Sequence, residues 1–237
     1  MTIFALVTVA LSGIPTANAA TRYGTVKVTT QRMTGPHLAN FRQQGTYPAG
    51  KKLVLKCYLW GQMVSGWGGT SNLWYQTSDG YYAADVDLYT GTNNPITGLC
   101  PTISINSFVS QTKGKVWANA LGTYPGQCVS LVSQYLLRVR GISTRAWRGN
   151  AVDYRSGGIA GKRLKALGYT WHTNKSFKTG DILVWGPSTS SVIDGNGHIA
   201  IWHAAKLYDQ NNRRHNPIAS ANYSPFMSGG YLGYWRK

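Results

Sequence analysis

The stretch Tyr124–Gly141, YPGQCVSLVSQYLLRVRG, decides how the rest of the chain is read. Pro125 and Gly126 break whatever precedes them, and an apolar run follows. Val129, Val132, Leu136 and Val139 recur at spacings of three, four and three, the period of one helix face. Gly141 marks the stop. Arg138 and Arg140 fall in the last turn, where cations complement the helix dipole. Cys128 then opens the helix. A helix N-terminus stabilises a thiolate, so Cys128 reads as a nucleophile, as half of a disulfide, or as the small buried hydrophobe that free cysteines usually are.

A thiolate nucleophile needs a base, and the base needs a group to orient it. Working outward, the best base is His198 in GNGHIAIWH, residues 195–203. Read as a strand, this segment places His198, Ala200 and Trp202 on one face and Ile199 and Ile201 on the other. The isoleucines can face a core while His198 faces a cleft. A second helix is expected over IAGKRLKALG, 159–168, closed by Gly168. DILVWG (181–186), GHIAIWH and NPIASANY (216–223) read as short strands. Helices followed by strands predict an α+β domain rather than a parallel βαβ fold.

The 237 residues suit one large domain or two small ones. There are 24 Lys and Arg against seven acids, a formal net charge of +17. All seven acids are aspartates, which excludes any mechanism built on glutamate and makes a muramidase a poor reading. The charge is uneven: residues 1–112 carry +4 and residues 113–237 carry +13. So basic a surface draws polyanions by long-range steering. Nucleic acid, anionic membrane and anionic cell-wall polymer all qualify, but no nucleic-acid motif is present and none is expected as partner.

FALVTVALSGIPTANA, residues 4–19, is apolar and ends in Ala17-Asn18-Ala19, the pattern of a secretory signal cut after Ala19. It is too short to span a bilayer, and no later segment is apolar for long enough, so no membrane insertion is expected. The mature protein is expected to be secreted, at the cell wall, and monomeric. Disulfides persist in that setting. Three cysteines, Cys57, Cys100 and Cys128, leave at least one over. No C-x-x-C pair suggests zinc. His198 and His203 face opposite sides of one strand, and His37, His172 and His215 stand alone. No metal and no cofactor are expected.

Residues 22–90 read as a small all-β barrel of short strands punctuated by SGWGGTSN and SDG. Residues 91–112, rich in Gly, Asn, Pro and Thr, read as a linker.

Several blocks, in order, resemble the CHAP domain, the cysteine, histidine-dependent amidohydrolases/peptidases of bacteria and their phages. They are YPGQCVSLVSQYL, WRGNAVDY, KTGDILVWG, GHIAIW and GYLGYWRK, within residues 113–237. The resemblance implies a papain-like α+β fold that cleaves amide bonds in peptidoglycan, as an N-acetylmuramoyl-L-alanine amidase or a stem-peptide or cross-bridge endopeptidase. It maps the nucleophile onto Cys128 and the base onto His198. For the third residue Asn222 fits as an imidazole-orienting amide. Ser220 is an alternative, standing where the family places an acid if Asn222 is the Asn that trails it, and Asp209, in an expected loop, is another. Gln127 and the Cys128 N–H are expected at the oxyanion site, with Trp147 and Asn150 lining the groove. Some members carry a calcium loop before the cysteine; KGKVWANALGTYPGQ (113–127) has no acid, so none is expected here.

Residues 22–90 resemble a bacterial SH3-like domain, especially over the stretch 50–91, which implies wall binding. Trp60, Trp67, Trp74, Tyr75, Tyr81 and Tyr82 are its candidate stacking surfaces. Cys57 and Cys100 are expected to join as a disulfide that fastens the barrel to its exit strand, leaving Cys128 free. The expected function is a secreted or phage-encoded, endolysin-like peptidoglycan hydrolase; the alternative is a non-catalytic wall-binding adhesin or secreted antigen.

Overall fold

A computed structural model describes residues 20–187, 195–211 and 226–237, together with the backbone of 222–224. The expected leader, residues 1–19, and Ser220 and His215 lie outside the described residues.

Seven strands fill the N-terminal half: β1 (Arg22–Val26), β2 (Thr30–Met33), β3 (Gln43–Tyr47), β4 (Lys52–Gly66), β5 (Gly69–Thr77), β6 (Tyr82–Ala84) and β7 (Leu88–Tyr89). They pair antiparallel in the order β3-β2-β6-β5-β4-β1-β7 and curl into a half-barrel. A bulge between Leu55 and Cys57 interrupts the period-two pattern of β4. Past it Cys57 and Leu59 pack with Cys100, while Leu53 and Leu55 share a core with the half-buried Tyr58 and Trp60. Tyr75, Leu73 and Tyr47 complete this core, and Trp74 is buried in a satellite cluster. Trp74 and Tyr75 are therefore core residues rather than stacking surfaces.

Cys57 and Cys100 form a disulfide with Cα atoms 4.7 Å apart. The exit segment lies beside β4, where Tyr58 N–H donates to Gly98 O and Cys100 N–H to Tyr58 O, both at 2.9 Å. The expected linker is not wholly irregular. Its last eight residues form α1 (Ile105–Thr112), capped by Ser104 Oγ, which accepts from Ser107 N–H at 3.1 Å. Ile105, Phe108, Val109 and Thr112 have helical spacing, and Phe108 is buried edge-on against Tyr135 and Tyr208.

The C-terminal half holds α2 (Cys128–Arg140) and α3 (Ile159–Ala166). Its strands are β8 (Thr170–His172), β9 (Ile182–Trp185), β10 (His198–His203), β11 (Lys206–Asp209), β12 (Asn222–Ser224) and β13 (Tyr231–Arg236). The antiparallel sheet runs β12-β11-β10-β9-β13-β8. Helix α2 lays Leu131, Val132, Tyr135 and Leu136 on Ile182, Val184, Ile199 and Ile201. Truncating one such leucine to alanine costs about 2–5 kcal/mol. The opposite face, Leu183, Trp185, Ala200, Leu207 and Tyr234, is covered by Phe177, Trp202, Phe226 and Met227. Val129 and Val139, expected on the core stripe, are only partly buried, because α2 is enclosed on most sides and its deepest line runs through Leu131 and Tyr135. Gly141, at φ 68, closes the helix in the left-handed conformation.

The two halves meet at the segment before α2. Trp117 is buried, with the rings of His37 and Phe41 edge-on at 5.6 and 5.8 Å. Asn72 of β5 donates to Ala120 O at 3.0 Å and accepts from Arg145 Nη1 at 2.7 Å, while the Arg145 guanidinium lies 3.7 Å over Trp60. Arg138, in the last turn of α2, is buried beside Phe41, Phe108 and Trp117, and Gln111 Oε1 accepts from its Nη2. Among the described residues no helix is long and apolar enough to cross a membrane.

Candidate active site

Chain geometry delivers Cys128 to a cleft of about 640 Å³. Tyr124 has φ 52 and Gly126 φ 80, so the backbone turns sharply into α2. Ser130 Oγ donates to Tyr124 O at 2.6 Å and holds the turn closed. No side chain caps α2 at Gln127; Ser130 N–H donates to Gln127 O at 2.9 Å, which leaves the N–H groups of Cys128 and Val129 to a ligand. Cys128 is free and buried at the cleft floor, with 8% of its surface exposed.

His198 opens β10 and lines the same cleft, with Cys128 as a hydrogen-bond partner of its ring. Gly197 before it has φ 76, and a Cβ there would stand 2.4 Å from Trp185 O. Only glycine lets the chain enter β10 this close to β9. The turn is pinned from the other wall: Asn150 Nδ2 donates to Asn196 Oδ1 at 2.7 Å, and Val152 N–H donates to Asn196 O at 3.0 Å. Asn150 also forms a capping box with Asp153. It lines the cleft and also sets the approach to His198.

The partner of His198 Nε2 is Asp209 Oδ2, at 2.9 Å, with both residues almost fully buried. Sequence reasoning prefers Asn222 and places Asp209 in a loop; the structure corrects the second point. Asp209 ends strand β11. Ile201 pairs with Tyr208, so one step further Ala200 faces Asp209, whose side chain emerges on the face carrying His198. Asn222 pairs through its backbone with Asp209 from β12, and its side chain lies outside the described residues.

Burial opposes charge on His198, but Cys128 and the Asp209 carboxylate outweigh it and hold the imidazolium up to a pKa of about 10. The ring therefore favours its charged form, supported by the sulfur on one side and the carboxylate on the other.

Two residues of this site escape sequence reasoning. Gln210 is buried; its Oε1 accepts from Trp117 N–H at 2.7 Å, and its Nε2 donates to Gln127 O at 3.0 Å. Asn211 Nδ2 donates to Gln127 Oε1 at 3.0 Å, which turns the Gln127 amide nitrogen to other use at the cleft rim. Three consecutive residues, Asp209 to Asn211, thus tie the imidazole, the loop before α2 and Gln127 together. Trp147 is half-buried on the cleft wall, tilted against Tyr154 at 6.0 Å. The described lining has no carboxylate; Arg148 is its one charged side chain besides His198. No group of three His, Cys, Asp or Glu among the described residues could hold a metal ion.

A thiol at a helix N-terminus, an imidazole beside it and a carboxylate behind the imidazole form the arrangement of a cysteine hydrolase. Residues 118–210 match the family model of the CHAP domain, which supports a CHAP-type hydrolase for this half of the chain. No curated protein matches the chain. Among solved structures, Ly7917 is similar at 18% identity and a TM-score of 0.39, over 55% of this chain and 59% of that one. NlpC2 and NlpC1 from Trichomonas vaginalis are similar at 12% and 14% identity, each over 92% of this chain with a TM-score of 0.37; 74% and 70% of their own chains are covered.

Proposed function

We propose that the protein hydrolyses an amide bond of peptidoglycan through a Cys128 thiolate. The observation that carries this reading is the line from Cys128 through His198 to Asp209 at the floor of an open cleft. Asp209 orients the imidazole and stabilises its charge. The thiolate attacks the carbonyl carbon, and the tetrahedral oxyanion is met by first-turn N–H groups of α2 with the Gln127 amide beside them. His198 protonates the leaving amine, then takes a proton from water as it attacks the acyl-enzyme. Tyr124 and Trp147, which line the same cleft as Cys128, offer aromatic surface for the substrate. A described lining without carboxylates suits a substrate bearing its own carboxylates, as stem peptides do.

On this reading the signal-like N-terminus exports the chain. The SH3-like N-terminal half and the +13 charge of the C-terminal half hold it at anionic wall polymers. The test is mass spectrometry of products from purified peptidoglycan, with Cys128→Ala as control. Soluble fragments that vanish in the variant support the hydrolase, and their new amino termini separate amidase from endopeptidase. No fragments from folded, reduced protein on several wall types would leave a wall-binding protein with an idle site.

A further inference from the structure

A second groove lies wholly within the N-terminal half. It encloses about 560 Å³ between the tip of the β4–β5 hairpin, at Trp67 to Ser71, and the segment leaving β7, at Tyr89 to Asn93. Trp67 and Tyr89 are 51% and 59% exposed, whereas Trp74, Tyr75 and Tyr47 of the same sheet are buried. Exposed rings beside a concave, hydroxyl-bearing surface mark a place where ligand replaces water. The Lys27 ammonium stands 5.2 Å from the Trp67 ring and 5.9 Å from the Tyr89 ring.

Asp85 lines this groove, and it is 92% buried by its 8% exposure. Its Oδ1 has no hydrogen-bond partner. Each of the other five described aspartates holds at least one: Asp79, Asp87, Asp153, Asp181 and Asp209. An unsatisfied buried acceptor is costly and calls for an explanation. Burial alone lifts the Asp85 pKa to about 6, consistent with a carboxylate that lacks a donor.

We infer that this groove is a saccharide site, in which Trp67 and Tyr89 stack on the sugar ring and Asp85 accepts a hydroxyl or acetamido hydrogen. A pyranose has an apolar C–H face and a polar rim, which fits aromatic faces beside one buried acceptor. Lys27 supports this choice over a cationic ligand: its ammonium already stands by both rings and would repel a second cation, yet it can donate to sugar oxygens. The site is separate from the cleft at Cys128 and does not depend on the reaction there.

The test uses the full chain carrying Cys128→Ala, titrated with the tetramer of N-acetylglucosamine and followed by tryptophan fluorescence and calorimetry. Saturable binding is expected. Trp67→Ala should weaken it at least tenfold and Asp85→Asn about tenfold, with melting temperature and circular dichroism reporting that both variants fold. Absence of saturation, or equal affinity in Trp67→Ala, overturns the assignment. So does binding of a lysine-bearing peptide that Asp85→Asn abolishes, which would make the groove an ammonium site. Wall digestion by protein with Cys128 intact is read separately, so failure here and failure of the hydrolase reading are distinguishable.

Discussion

Asp209 reaches from β11 to His198 on β10 and meets its Nε2 at 2.9 Å, both side chains withdrawn from solvent. The ring's remaining nitrogen is thereby left to the sulfur, because an imidazole has only two.

Asp209→Asn keeps the shape but removes the charge that supports the imidazolium. Turnover on peptidoglycan is expected to fall about 10²-fold or more, within the range of general acid–base contributions. Parallel assays of Asn222→Ala, expected to lose far less, decide between the two. Equal losses would move the orienting role to the pair, and a greater loss in Asn222→Ala would give it to Asn222.

The raised pKa of His198 carries a sign. Its folded value, about 10, exceeds the ordinary histidine value of 6.5. The pair's contribution to stability is therefore full below pH 6.5 and is lost as pH rises through about 10. Hydrolysis should likewise lose its general acid only toward pH 10. A pH–rate profile and melting curves from pH 6 to 10 check this; an alkaline limb centred near 6.5 contradicts it.

Asn72 and Arg145 tie the N-terminal half to Ala120, in the segment that forms the cleft wall at Asn119, Leu121, Thr123 and Tyr124. Asn72→Ala leaves the buried Ala120 carbonyl short of one donor, a cost of about 1–3 kcal/mol. Hydrogen exchange should quicken at residues 118–126. Alkylation of Cys128 by iodoacetamide should keep its rate, because α2 itself is not touched.

The disulfide closes a loop between residues 43 apart in sequence. The chain-entropy model assigns it about 4 kcal/mol. The Cys57→Ala, Cys100→Ala double variant should melt earlier in thermal scans yet retain turnover, since neither sulfur approaches the cleft. Loss of activity at temperatures where that variant is folded would place the disulfide in the site's support.

Helix α2 and the His198 strand are legible in the chain because each rests on a local pattern: apolar spacing closed by glycine, and alternation entered from glycine. Asp209 is hidden for an equally local reason. The turn from β10 to β11 is Ala204-Ala205, both at positive φ, 49° and 60°. Such turns normally announce themselves with Asn or Gly. Without that signal the hairpin is invisible, and Asp209 reads as loop. Helix α1 had the spacing of a helix, but the Gly, Asn and Thr around it masked eight residues of order. Gln210 left no trace at all, since its importance lies in contacts across more than eighty positions.

Helix α2 has its sulfur at one end and Arg138, wedged beside Phe41 of the N-terminal half, at the other. Thirteen residues make a rigid rod of about 20 Å. The reacting sulfur and the contact with Phe41 therefore sit on one helix, so the two halves of the chain share an element that carries chemistry at one end and anchorage at the other.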